Sequence, residues 1–313
     1  GVGLTGGRCG VGFAVSGGPM LGAPGRPGSS PWTLVAFAAP ALILLLLLNL
    51  YPVLYAGYQS LRDGSLISAG DFVGLENYAQ VLTNPEFWAS ARFTLIFTLV
   101  GVFGSWLVGL ALAILLKTRI PAKGLFKVLL LLPWVVPVVV SATAWNWLVA
   151  TPQSPLPILA AALGLGNVLF LANPVLAQVT VCVFKVWISF PFMMMMMSAA
   201  LESVDNNVYE ASRVDGASKW KTLTNITLPM ISRSTYISWI LMTIFCVNDF
   251  PTIFLLTGGG PVNATQSLVV LAYNTVFQNF DTGTGVAVAF LMTMVLIVVS
   301  VTLFRQIRKV QIL

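Results

Sequence analysis

Six apolar blocks run through this chain, near positions 33–57, 93–116, 125–149, 174–200, 234–257 and 284–304. Each is about 20 residues or longer, the length a helix needs to cross roughly 30 Å of hydrocarbon. A backbone immersed in lipid has no water to bond with, so each block must satisfy its own N–H and C=O groups as an α-helix. The fold class that follows is an all-α membrane protein with six transmembrane helices.

Composition agrees. The 313 residues are 57% hydrophobic and 8% charged, with a mean hydropathy of +0.89. Soluble domains carry about 25% charged residues, so a water-facing surface cannot be assembled here. The net charge of +6 is spread over short segments between apolar blocks and forms no basic patch, which argues against nucleic acid. The chain has no histidine, so imidazole catalysis and imidazole metal ligation are excluded. Cys9, Cys182 and Cys246 are scattered without metal-ligand spacing and read as two small buried hydrophobes and one tail thiol. Residues 1–31, rich in Gly, Pro and Ser, read as a flexible tail ahead of a membrane domain over 32–313.

Lysine and arginine set the orientation, because cytoplasmic segments collect them. With the N-terminus inside, the inner segments hold Arg8, Arg26, Lys117, Arg119, Lys123, Lys127, Arg213, Lys219, Lys221, Arg233, Arg305, Arg308 and Lys309. The reverse orientation puts all of these outside, so N-in/C-in is expected. Ile158–Leu171 follows Pro152, Pro155 and Pro157 and is short and glycine-interrupted. It reads as an interfacial or re-entrant helix rather than a span.

The inner loop of about residues 201–232, between blocks four and five, is far longer than the 2–8 residues needed to join helices. It carries Glu202, Asp205, Glu210, Arg213, Asp215, Lys219 and Lys221 and reads as two short helices around Gly216. Thr227-Leu228-Pro229 is expected to end the second one. A charged helix pair projecting from a membrane domain is a docking surface; solvated polar decoration is the plainer alternative. Glu210-Ala211-Ser212, three residues, Gly216, nine residues, then Ile226-Thr227-Leu228-Pro229 resembles the signature of binding-protein-dependent ABC importer permeases. That signature is usually written EAA, three residues, G, nine residues, I, any residue, L, P. Ser212 for the second alanine is the one departure.

The resemblance extends over about 33–313. Tyr51-Pro52, Phe72 to Tyr78, Leu132-Pro133-Trp134-Val135-Val136-Pro137, Lys185, Trp187, Pro191 and Phe192, and Leu256 to Pro261 with Thr265 and Tyr273 are similar to the family's carbohydrate branch. Within it they look like the first, maltose-type sugar permease. The resemblance implies a multi-pass subunit of the bacterial plasma (inner) membrane. Its partners would be a second related permease, two ABC ATPase subunits holding ATP and Mg, an extracytoplasmic solute-binding protein and a carbohydrate. It also implies that Glu210, Ala211, Ser212, Asp215, Gly216, Ile226, Leu228 and Pro229 form coupling helices seated on the ATPase. Glu210 would then meet a basic residue there, and Gly216 would allow the turn.

The chain contains no Gly-x-x-x-x-Gly-Lys-[Ser/Thr], so ATP hydrolysis and its cofactors are expected in a separate subunit. Gly258-Gly259-Gly260 is followed by Pro261 and reads as a tight turn or a contact for a binding protein. In block two, Gly101, Ser105, Gly109 and Ala113 recur every four residues, which allows close helix approach within the chain or at a subunit interface.

Polar groups within lipid are costly and mark pathways. Trp145, Asn146, Lys185, Asn248, Asp249 and Tyr273 are the candidates for a substrate path. Aromatic faces take the C–H surfaces of sugars, and amides or carboxylates take their hydroxyls. Helix–helix bonding is the plainer alternative for each, and Lys185 either snorkels or pairs with Asp249. A sugar-phosphate or glycerophosphodiester would want more cations on the path than Lys185 supplies. An ion-coupled secondary transporter fits less well, because the two halves show no repeat. An intramembrane enzyme lacks histidine and a paired aspartate set.

Overall fold

The computed structural model describes residues 31–68, 70–118 and 120–310. The tail reading over 1–30 and Cys9 lie outside them. Among the described residues the regular elements are all helical, and a single isolated β-bridge joins Arg62 to Phe72. The described residues fall into two compact units that divide after Pro52. In the first, Pro31–Leu45 runs into a π-turn at Leu46–Leu50, with apolar residues on every side, as suits a helix surrounded by lipid. The apolar stretch of this helix long enough to span is Val35–Gln59 (α1).

The second unit then follows as α2 (Glu76–Thr83), α3 (Pro85–Lys117), α4 (Lys123–Val135), α5 (Val138–Val149) and α6 (Pro155–Ala162). After these come α7 (Pro174–Glu202), α8 (Asn206–Val214), α9 (Lys219–Met230), α10 (Ser232–Val247), α11 (Phe250–Thr257), α12 (Leu268–Phe277) and α13 (Thr282–Val310). Among the described residues, four uninterrupted helices are long and apolar enough to cross a membrane, and up to six spans result when each bent pair counts as one.

Local chemistry fixes these boundaries. Asn84 and Asn173 each accept a backbone N–H from the first turn they precede, and Pro85 and Pro174 stand just inside the helix. Block three is not one straight span: α4 and α5 meet at 92°. Pro137 lacks an N–H and pushes Val136 into extended backbone, at φ −67 and ψ 132, which ends α4. Block five is likewise interrupted, because Asn248 and Asp249 separate α10 from α11. A second bend, of 68° at Ile231, separates α9 from α10. Thr227-Leu228-Pro229 closes the second loop helix as expected, its last helical residue being Met230. Proline is tolerated there because it occupies the first turn after the π-turn Leu223–Thr227.

Helix α6 has eight residues. At 1.5 Å per residue it is about 12 Å long, too short to cross a bilayer. Residues 163–173 beyond it are irregular.

The core forms between α3 and α7. An added Cβ at Gly109 would lie 2.6 Å from the Met194 nitrogen and 2.8 Å from the Met193 carbonyl carbon. At Gly101 it would meet Cys246 Sγ at 2.8 Å. The four-residue stripe thus serves close packing within the chain. Phe93, Phe97, Phe184, Met193 and Met242 fill the space around it.

Loop contacts sort the bundle's ends. At one end Asn263 donates to Glu86, Leu268 N–H to Thr94 and Gln178 to the Ala264 carbonyl, while Thr282 N–H reaches Gly64. At the other, Lys117 meets the end of α7. This pairing matches the two sets of loops that the charge pattern separates.

Candidate substrate cleft and docking loop

Two interrupted helices meet at one place. The Val136-Pro137 break and the Asn248-Asp249 break line a cleft of about 410 Å³ together with Trp134, Lys185, Ser189 and Phe245. Lys185 is eleven residues into α7, about 17 Å along it.

Asp249 organises the cleft. One carboxylate oxygen accepts the Lys185 ammonium at 2.6 Å. The other accepts the Thr252 N–H at 3.1 Å and so caps α11. Both residues are buried, with Lys185 at 5% and Asp249 at 9% exposure. Lys185 therefore pairs rather than snorkels, and the buried charges cancel. Desolvation of an unpaired ammonium at this depth costs several kcal/mol, so the pair is what makes Lys185 tolerable.

Asn248 is exposed at the cleft and donates to the Ile244 carbonyl at 2.9 Å. Trp134 and Phe245 supply the aromatic walls. Trp134 stacks on Phe192 with centroids 5.2 Å apart and remains 40% exposed. The sequence marks Trp134 only through its family pattern and gives Phe245 and Ser189 no mark. The Pro137 signal beside Trp134 is the clue that a wall ends there.

The other three candidates are elsewhere. Asn146 donates to the Leu256 carbonyl at 3.2 Å and so ties α5 to α11, the helix–helix role. Trp145 packs edge-on against Phe184 at 5.3 Å. Tyr273 is enclosed by Phe250, Phe254 and Phe277. None of the three lines the cleft.

The 201–232 loop has defined geometry. Asp205 caps α8 through the Asn207 N–H. At the far end of α8, Gly216 N–H bonds to Arg213 O and Ala217 N–H to Ser212 O, a Schellman turn with Gly216 at φ +70. Nothing lies within 4 Å of a Cβ placed on Gly216. The glycine is there for its backbone conformation and not for close approach. Asp215 is the C-cap residue, and Ser218 caps α9 by accepting from Lys221 N–H. Glu210, Ala211 and Asp215 are exposed, whereas Ser212 is buried and donates to the Tyr209 carbonyl. Ile226 and Leu228 are half-buried and Pro229 is exposed, so the signature splits between an outward and an inward face.

Residues 105–309 match the family described as "Binding-protein-dependent transport system inner membrane component". This chain belongs to that family. As an inner membrane component it carries both the cleft and the signature loop within the matched stretch. It is 35% identical over 254 residues to the trehalose/maltose transport system permease protein MalF of Thermococcus litoralis, covering 80% of this chain and 85% of that one. It is 31% identical to the sulfoquinovosyl glycerol transport system permease protein SmoG of Agrobacterium fabrum, covering 88% of this chain and 90% of the other. A crystal structure of a bacterial ABC transporter involved in the import of the acidic polysaccharide alginate superposes with a TM-score of 0.77 at 19% identity. That match covers 89% of this chain and 96% of the other and shows the permease fold.

Proposed function

We propose that this inner membrane component is the permease subunit of an ATP-driven importer of a neutral sugar or oligosaccharide, which crosses at the Lys185–Asp249 cleft. A solute-binding protein delivers the sugar, a second related permease completes the path, and two ATPase subunits dock on the 201–232 loop. That loop faces the cytoplasm in an N-in/C-in topology. The observation carrying the substrate class is the pairing itself. Lys185 is the one cation among the cleft-lining residues, and Asp249 neutralises it. A neutral site lined by Trp134 and Phe245, with the Asn248 amide at its edge, suits a polyol with apolar faces.

Support for a sugar also comes from the relative named for trehalose and maltose. Asp249 is buried and tied to Lys185 and Thr252, whereas Asn248, Trp134 and Phe245 are the exposed groups that make the direct contacts.

The test is uptake by the complete complex in vesicles, with labelled neutral disaccharides and their phosphorylated forms. Neutral uptake that requires ATP and the ATPase subunits supports the reading. Uptake driven by an ion gradient without the ATPase refutes it, and preference for the phosphorylated forms refutes the neutral class.

A further inference from the structure

We infer that Lys117 and Tyr209 form the strut that passes movement of the 201–232 loop into α3 and α7. The inference rests on reading that loop as the ATPase docking surface. Lys117 is the last residue of α3, and its ammonium lies 4.2 Å from the ring centroid of Tyr209 on α8. The same ammonium donates to the Leu201 carbonyl at 3.2 Å. Leu201 is in the last turn of α7, where carbonyls lack helical partners and a cation is favoured. One charged group therefore touches three elements.

Helix α8 has two faces. Glu210, Arg213 and Val214 point outward, while Tyr209 and Ser212 turn toward the spans. Tyr209 packs on the cluster of Leu116, Leu201, Val204 and Ile231, which joins the ends of α3 and α7 to the bend before α10. Among the described residues the remaining side-chain hydrogen bonds of α8 stay inside the loop, at Asp205–Asn207 and Ser212–Tyr209. Lys117 over Tyr209 is thus a polar link between docking helix and bundle. The helix it caps also carries Lys185, sixteen residues back along α7 and beyond the in-helix Pro191, about 24 Å away. The helix runs unbroken past Pro191, so a push on Tyr209 reaches the Lys185–Asp249 pair through helical backbone, with the proline as its one weak point. Lys117 and Tyr209 are positioning residues, since neither touches solute.

The experiment uses the whole reconstituted complex and reads ATP hydrolysed per solute imported. Lys117→Met keeps the stem and removes charge and donor; it should raise that ratio about fivefold, the lower end of ordinary site-to-site coupling. Lys117→Arg should restore the wild-type ratio, a rescue that a purely space-filling role does not require. Tyr209→Leu removes the ring and leaves Lys117 to cap α7. It should raise the ratio equally, and the double variant should be no worse than either single one. It also tests the contact if Lys117→Met lowers assembly. An unchanged ratio in both single variants overturns the strut. Glu210→Lys run alongside separates the two levels. If it abolishes uptake while Lys117→Met and Tyr209→Leu do nothing, the docking surface stands and the strut fails. If Glu210→Lys also transports normally with its ATPase bound, the docking reading itself fails.

Discussion

Lys185 and Asp249 are 64 residues apart in sequence and 2.6 Å apart in space, and the carboxylate that holds the lysine also starts α11. One side chain therefore fixes charge balance and helix geometry together. Buried pairs contribute little net stability against an apolar alternative, yet breaking one leaves an uncompensated charge.

Asp249→Asn is expected to keep the α11 cap but strand the Lys185 ammonium, at a cost of about 3–5 kcal/mol. Adding Lys185→Met should recover most of that loss. Thermal unfolding of the detergent-purified complex measures both. A single variant as stable as the parent would show that water, and not Asp249, satisfies Lys185.

Gly216→Val is expected to lower uptake, because a β-branched residue resists the left-handed backbone at φ +70. The strain is about 1–2 kcal/mol. Since no atom crowds the site, Gly216→Asn should be milder than Gly216→Val. Equal damage from the two would point to side-chain contact with a partner instead. Uptake and ATPase co-purification read the outcome.

Gly109→Leu is expected to separate α3 from α7, since even a Cβ meets the Met193–Met194 backbone. Overpacking of this kind costs about 1–3 kcal/mol. Gly124→Ala, in α4 with nothing within 4 Å, should be neutral or slightly stabilising. Melting temperatures of the two variants test the contrast.

Ser218→Cys on a cysteine-free background is expected to react with a membrane-impermeant thiol reagent only from the cytoplasmic side. Ser218 is exposed at the start of α9, so with the ATPase subunits removed its access is decided by membrane side. Labelling of intact cells from outside would overturn the N-in/C-in topology.

Much of this architecture was legible because lipid demands long apolar helices, but α3 begins at Pro85 and not near 93, because its first turns carry polar residues that an apolar block leaves out. The 201–232 loop was legible through its length and spacing, and Gly216 makes the turn expected of it. The breaks were less visible. Val136 and Pro137 are flanked by apolar residues, and averaging over a span hides a 92° bend. The cleft walls were hidden for the same reason, since Trp134 and Phe245 have the composition of lipid-facing residues. Tyr273 and Trp145 carried the right chemistry for a sugar but were claimed by aromatic neighbours, which no local pattern specifies. Whether Lys185 paired or snorkelled depended on a contact between α7 and the α10–α11 break.

The π-turn at Val100–Gly104, inside the continuous helix α3, gives this region an unusual tolerance of deletion. A π-turn holds one residue more than the α-helix around it. Losing a single codon there lets the turn close as ordinary helix, and the residues beyond it keep nearly the phase they had. Gly109 would stay against Met193 and Met194, and Lys117 would stay near Tyr209 and Leu201. A codon lost from the regular helix after Ser105 has no such slack and turns everything beyond it by about 100°. Single-codon deletions are therefore expected to be better tolerated at 100–104 than later in α3.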